Sequence, residues 1–282
     1  MDAARSRRSG TAALAATAMF AATACGVADA GEKSVTKKDS IVIGVNPDQP
    51  SVGSLVGKSY EGFDIDVARE VARRLGITGK NLTFRPVTSK TRESMLRAGK
   101  VDLVVASYSV TPERKVQVAF AGPYYVAHQD ILVRASDTTI KNVHDLQGKR
   151  LCQVQGSVSF QRVHDEKGVS ALPVAATGWG DCLSRLSAGK LDAVSTDDLI
   201  LAGWFASQAA SKGNTLKIVK APFSDEPYGI GIRKGDLDGC EAINKAITGM
   251  YQDGTATRLL YKWFGPVGIS ITRTIPQFEG CD

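Results

Sequence analysis

From residue 41 onward, short apolar runs alternate with amphipathic stretches. Ile41–Val45 (IVIGV) is an apolar run closed by Asn46-Pro47, which predicts a buried strand followed by a turn. Residues 50–62 are rich in Gly and Ser and read as loop. From Phe63 the apolar positions Ile65, Val67, Ala68, Val71, Ala72 and Leu75 recur at helical spacing and stop at Gly76, predicting a helix. Residues 82–87 return to a strand pattern, 91–98 predict a short helix and 101–106 (VDLVVA) another buried strand. The same grammar repeats downstream. Strands are predicted over 150–154, 171–176, 191–195, 216–219 and 229–232, and helices over 157–167, 181–188, 199–208, 237–251 and 255–264. This order predicts an α/β fold with a mostly parallel sheet. One α/β unit lies on each side of about residue 130, with 127–133 and 219–225 as the connecting segments.

Composition narrows the class. A chain of 282 residues with 43% hydrophobic and 23% charged positions is that of a packed globular protein, which excludes a wholly disordered one. No stretch reaches the ~18 uninterrupted apolar residues of a spanning helix, so a multi-span membrane protein is excluded too. The net charge of +6 is weak support for a nucleic-acid partner, and none is expected.

The N-terminus reads as a secretory signal, with Arg5, Arg7 and Arg8 ahead of an uncharged Ala-rich run over 10–24. Small residues Ala22-Thr23-Ala24 then precede Cys25, a pattern similar to a bacterial lipobox, so Cys25 is the expected lipidation site, although Ala22 stands where Leu is usual. Plain leader cleavage after Ala24 or Ala30, with free secretion, is the alternative. Removing 1–24 takes away three Arg and one Asp and lowers the charge from +6 to +4. Residues 25–39 then read as a flexible tether between membrane and fold.

The remaining cysteines form an even set in an exported chain, where disulfides persist. Of the three possible pairings, Cys152–Cys182 and Cys240–Cys281 are favoured because each pair then stays within one region of the chain. No C-x-x-C spacing and only three His leave no basis for a metal, and no cofactor is expected.

Gly62-Phe63-Asp64-Ile65-Asp66-Val67, followed by Val71-Ala72 and Leu75, resembles the signature of family 3 extracellular solute-binding proteins, the amino-acid-binding components of bacterial ABC importers. Further matches are Gly99-Lys100-Val101-Asp102-Leu103, Thr111-Pro112-Glu113-Arg114-Lys115, Phe120 with Pro123-Tyr124-Tyr125, and Gly189-Lys190-Leu191-Asp192-Ala193-Val194. They run in family order from about residue 40 to 265. Thr88-Ser89-x-x-Arg92 and Ser195-Thr196-Asp197-Asp198 most resemble the acidic amino-acid binders. The resemblance implies a two-lobed type II periplasmic-binding-protein fold, each lobe a mixed, mainly parallel sheet flanked by helices, with two hinge crossings. Residues 40–130 and 222–282 would form lobe 1, and 131–221 an inserted lobe 2.

The same resemblance implies a ligand set. An α-amino acid carries a carboxylate, an ammonium and a side chain, and a closed site must satisfy all three, because an unpaired buried charge costs several kcal/mol. Arg114 is expected to grip the carboxylate with its donor fork, helped by backbone N–H groups of Ser157, Val158 and Ser159 at a strand-to-helix turn. Asp197, the Ser107 carbonyl and the Ser109 hydroxyl are expected to take the ammonium, with Asp198 as a helix cap. Arg92 and Ser89 would hold a distal carboxylate, with Trp179, Thr196 and Asn46 completing the side-chain region. Asp48 is expected to point away from the ligand or pair with a cation. Gln49 and Ser89 stand where neutral-ligand members carry aromatics, which favours a polar ligand: glutamate, with aspartate and glutamine left open.

The expected function is the extracellular binding component of an ABC importer, acting as a monomer with a permease and an ATPase. Two alternatives belong to other classes. A dehydratase-like enzyme on the same scaffold would need a general acid or base, yet His128, His144 and His164 lie outside the binding motifs and no nucleophile motif is present. A ligand-sensing receptor subunit is the third reading.

Overall fold

The structure is a computed structural model and describes residues 33–213, 215–268 and 274–281. Cys25, the signal segment 1–24 and the first part of the tether lie outside the described residues. The described part of the tether is seated on the fold. Ser34 caps a 3-10 turn over Val35–Lys37, Val35 is buried, and its N–H donates to Asp236 Oδ2 at 2.9 Å. Lys38 pairs with Asp102 at 2.5 Å. Residues 33–39 are therefore anchored, because one apolar side chain and one ion pair find partners.

The first half of the chain opens with β1 (Ile41–Val45), then β2 (Asp48–Gln49), β3 (Gly53–Val56) and β4 (Ser59–Glu61). Helix α1 (Phe63–Arg74) follows, with Asp64 and Asp66 in its first turn and Arg73 and Arg74 in its last, charges that suit the helix dipole. After it come β5 (Leu82–Pro86), α2 (Arg92–Arg97), β6 (Leu103–Val104), α3 (Pro112–Gln117) and β7 (Ala119–Arg134). The second α/β unit comprises β8 (Arg150–Val154), α4 (Ser159–Gln161), β9 (Leu172–Ala176), α5 (Trp179–Ser187), β10 (Ala193–Asp197), α6 (Asp198–Lys212) and β11 (Leu216–Ile218). The chain then returns through β12 (Ser224–Ile232), α7 (Leu237–Gln252) and α8 (Thr255–Phe264).

One mixed sheet runs in the order β5-β1-β6-β12-β7-β10-β8-β9, with β11 also on β7. Its outer parts are parallel, β5 and β6 on β1 at one end and β9 and β10 on β8 at the other. The centre is antiparallel: β12 pairs with β6 and β7, and β7 with β10. The two ends are the two lobes, and β7 and β12 belong to both. Residues 127–133 are thus the middle of a 16-residue strand. Gln129 pairs with Ser224 on one side and Asp197 on the other.

Several predicted elements differ in extent. Residues 50–62, read as loop, carry β3 and β4, which join β2 in a separate three-stranded antiparallel sheet. Strands of two to four residues are too short for an apolar alternation to show. The strand expected over 101–106 is regular only at Leu103–Val104, ahead of Ser107, whose backbone turns into the left-handed region at φ 42°. The helix expected over 157–167 is one short α-turn continued by a π-helical turn, Arg162–Glu166. Disulfides join Cys152 of β8 to Cys182 of α5, and Cys240 of α7 to Cys281 of the C-terminal segment.

Candidate functional site

Arg114 owes its place to the start of α3. The Thr111 hydroxyl accepts the Arg114 N–H at 3.3 Å and Pro112 sits in the first turn, where its missing N–H costs nothing. Arg114 as a whole is 6% exposed. Nη1 donates to the Ser109 carbonyl at 2.7 Å, and Nη2 donates across to the Gly156 carbonyl on the second lobe at 3.0 Å. Arg92, at the start of α2, is 3% exposed, donates from Nη1 to the Ala106 carbonyl at 3.0 Å, and stacks 4.0 Å above the Tyr108 ring. The Glu93 carboxylate lies 3.6 Å from both guanidinium Nε atoms and accepts the Tyr108 hydroxyl at 2.8 Å. Burial, then the neighbouring Arg92 cation, pulls the Arg114 pKa down to about 9. Two buried cations sharing one carboxylate make a site that favours an added anion.

The opposite wall comes from the second lobe. Asp197 ends β10 and accepts the Tyr228 hydroxyl at 2.6 Å on Oδ2. Burial, reinforced by the Glu226 carboxylate, pushes its pKa up to about 8, so a cationic group beside it would be strongly favoured. Ser107 is held from two sides: its N–H donates to Asp64 Oδ2 at 2.6 Å and its hydroxyl to Gln49 Oε1 at 3.0 Å. Asp64 also accepts the Tyr124 hydroxyl at 2.7 Å, and burial raises its pKa to about 7. Left-handed backbone at a serine costs free energy and persists because these bonds fix it.

These groups surround one small pocket between the lobes, and Ser89, Arg114, Ser157 and Val158 also face the wider cleft that adjoins it. Arg92, Ser89, Ser107, Ser109 and Arg114 line the pocket from the first lobe, and Ser157, Val158, Ser159, Trp179, Thr196 and Asp197 from the second. Ile200 completes the lining and was not among the expected residues; as one apolar position inside a helical run it carries no separate signal. Nor did the sequence single out Glu93, Tyr108 or Tyr228, the residues that hold the charged groups in place.

Two sets of expected site groups already have partners within the protein. Asn46 is buried but lies outside the cavity lining; its Oδ1 accepts the Asp48 N–H at 3.0 Å, a turn-forming role. Two of the three amides at 157–159 are already used inside the loop, Ser157 N–H to the Val154 carbonyl at 3.1 Å and Ser159 N–H to the Ser157 hydroxyl at 3.1 Å. Only the Val158 amide of that trio is left for a ligand among the described hydrogen bonds. Asp48 lies outside the cavity lining, and its Oδ2 accepts the Trp179 N–H at 3.0 Å. Gly156 adopts φ 82°, and a Cβ there would lie 2.3 Å from the Ser89 carbonyl oxygen, so the lobes touch backbone to backbone at that rim. Among the described residues no cluster of His, Cys, Asp or Glu could hold a metal, and no helix is long and apolar enough to cross a membrane.

A two-lobed α/β fold with a charged pocket between the lobes is the architecture of a small-molecule binding protein. The chain belongs to the bacterial extracellular solute-binding proteins, family 3, whose model matches residues 41–266. It is 35% identical over 264 residues to the glutamate-binding protein GluB of Corynebacterium glutamicum, covering 90% of this chain and 89% of that one. It is 34% identical over 238 residues to the glutamine-binding protein GlnH of Bacillus subtilis, covering 82% and 83%. Among solved structures, an ancestral arginine-binding protein bound to glutamine superposes with a TM-score of 0.74 at 34% identity, covering 81% of this chain and 99% of that one. The two-lobed fold and both disulfide pairings expected from the sequence are those observed.

Proposed function

We propose that the protein is the substrate-binding component of an ABC importer for a polar amino acid, glutamate first, with aspartate and glutamine next. Residues 40–130 with 222–282, and 131–221, would close on the ligand about β7 and β12 and present it to a permease and its ATPase. The observation that carries this reading is the meeting of Arg114 and Asp197, contributed by opposite lobes, in the lining of one pocket. In this assignment Arg114 and the Val158 amide take the α-carboxylate. Asp197, the Ser107 carbonyl and Ser109 take the ammonium, while Arg92, with Ser89, Trp179 and Thr196 around it, takes the side chain. The relatives named for glutamate and glutamine support the ligand class.

One observation favours glutamine as the second reading: Glu93 already balances one of the two guanidinium charges. Lipidation at Cys25, anchoring the protein on the outer face of the membrane, belongs to the same proposal. Calorimetric titration with L-glutamate, L-aspartate, L-glutamine and L-asparagine tests it. Submicromolar binding of glutamate with no turnover is expected; binding of an unrelated cyclic acid in place of every amino acid overturns it.

A further inference from the structure

The N-cap of helix α5 is Gly178, which has no side chain to cap the free amides of the first turn. The cap comes from the other lobe. Asp48, 131 residues earlier in the chain, accepts the Trp179 N–H, and a Cβ on Gly178 would sit 2.5 Å from its Oδ2. Neighbouring Gln49 points to the opposite face of β2, as strand geometry requires, and its Oε1 holds the Ser107 hydroxyl. The two residues of β2 therefore brace both walls of the cavity, Ser107 on the first lobe and Trp179 on the second. The strand itself is fixed to its own lobe, since Ser51 and Val52 accept the N–H groups of Phe63 and Asp64 at the start of α1 at 2.8 Å.

A second contact lies one residue further on. The Pro50 carbonyl rests on α6 at Gly203, where a Cβ would lie 1.8 Å from the carbonyl oxygen. Both sides of that contact are backbone, so no side-chain rotation relieves an added methyl group. In an ordinary helix interior glycine is the poor choice and alanine the stabilising one. At Gly203 the helix gives up that stability and lets the first lobe come down onto it.

We propose that Asp48, together with the Pro50–Gly203 contact, forms an interlobe clasp that seats Trp179 as a wall of the ligand cavity and holds the lobes shut. The inference rests on the amino-acid-binding reading given above. Asp48 is a positioning residue: it acts on the ligand through Trp179 and through the closed arrangement.

The test compares Gly203→Ala, Asp48→Ala and Asp48→Asn with the wild type by calorimetry and stopped-flow tryptophan fluorescence, using L-glutamate and L-glutamine, alongside melting of the ligand-free proteins. Gly203→Ala is expected to stay folded, as shown by a cooperative melt, yet lose at least tenfold in affinity, mostly through faster dissociation. Asp48→Ala is expected to lose about fivefold, the usual effect of one helix cap, and Asp48→Asn, whose amide oxygen still caps, to recover most of it. Wild-type affinity in Gly203→Ala, or an Asp48→Asn as weak as Asp48→Ala, overturns the clasp; the Asp48 pair decides alone if Gly203→Ala does not fold. If the wild type binds none of the four amino acids, the functional reading falls instead. Small-angle scattering of the ligand-free proteins then decides the clasp: a smaller radius of gyration for the wild type than for Gly203→Ala supports it, and equal radii overturn it.

Discussion

Replacing Arg92 by methionine separates the charge of the side-chain region from its packing. Methionine keeps an unbranched stem against the Tyr108 ring, where sulfur contacts are favourable, so the stacking at 4.0 Å is largely retained. What disappears is the cation and its bond to the Ala106 carbonyl. The latter is lost whichever ligand is present and cancels when two ligands are compared. For glutamate, the distal carboxylate would be left in a closed cavity without its cation, at a cost of about 3–5 kcal/mol. At 1.4 kcal/mol per factor of ten, that is roughly a hundredfold or more in affinity. For glutamine the amide loses one hydrogen-bond partner, worth about 1 kcal/mol, or roughly fivefold. Calorimetry with both ligands on both proteins gives the ratio of ratios, expected to fall by at least about tenfold toward glutamine. Equal losses for the two ligands would refute the placement of Arg92 at the ligand side chain, and with it the preference for an acidic amino acid.

Arg114→Ala is expected to weaken every α-amino acid by roughly a hundredfold or more, because all share the carboxylate it holds; a ligand-selective loss in titration would contradict the assignment. Amino-acid affinity of the wild type is expected to rise between pH 6 and 8 by up to about tenfold per unit, since ligand ammonium needs an ionised Asp197 whose pKa in the empty site is about 8. Asp197→Asn should bind weakly and lose that slope. The folded pKa values of Asp64, Asp197 and Asp198, about 7, 8 and 6, all lie above the ordinary 3.8, so the folded chain holds more protons than the unfolded one between pH 4 and 8. Stability from this source is present below pH 4 and lost as pH rises through 6–8, so ligand-free protein should melt higher at pH 5 than at pH 8 by calorimetry. A melting temperature that rises over that window contradicts the burial of these three carboxyls as ionisable groups.

Elements with a strong period were legible in the sequence. The helix at Thr255–Phe264 and the strands at Ile41–Val45 and Arg150–Val154 have the expected bounds, because each places a continuous apolar face against the core. The cavity residues other than Ile200 were legible through motif resemblance and not through periodicity, since a serine in a loop carries no pattern of its own. What stayed hidden is of two kinds. The three short strands after Val45 are held by backbone pairing between chain neighbours, which leaves no hydrophobic repeat. The supporting contacts, Asp64 to Ser107, Tyr228 to Asp197 and Asp48 to Trp179, join residues 31 to 131 positions apart, and nothing local announces them. Asn46, named through the same resemblance, gives its side-chain oxygen to an Asx turn with Asp48, and nothing local announces that either.

The central ribbon of β7 and β12 sets how the two halves can part. It is no loose joint, since both strands stay in register through Gln129–Ser224 to Tyr125–Tyr228. Under the proposed closure, rocking of one half against the other would be absorbed as bending and coiling of that ladder with its rungs intact. The spring constant of the whole machine is then written in the flexural stiffness of two peptide strands, and a change of residue far from any ligand atom can retune how long the chamber stays open.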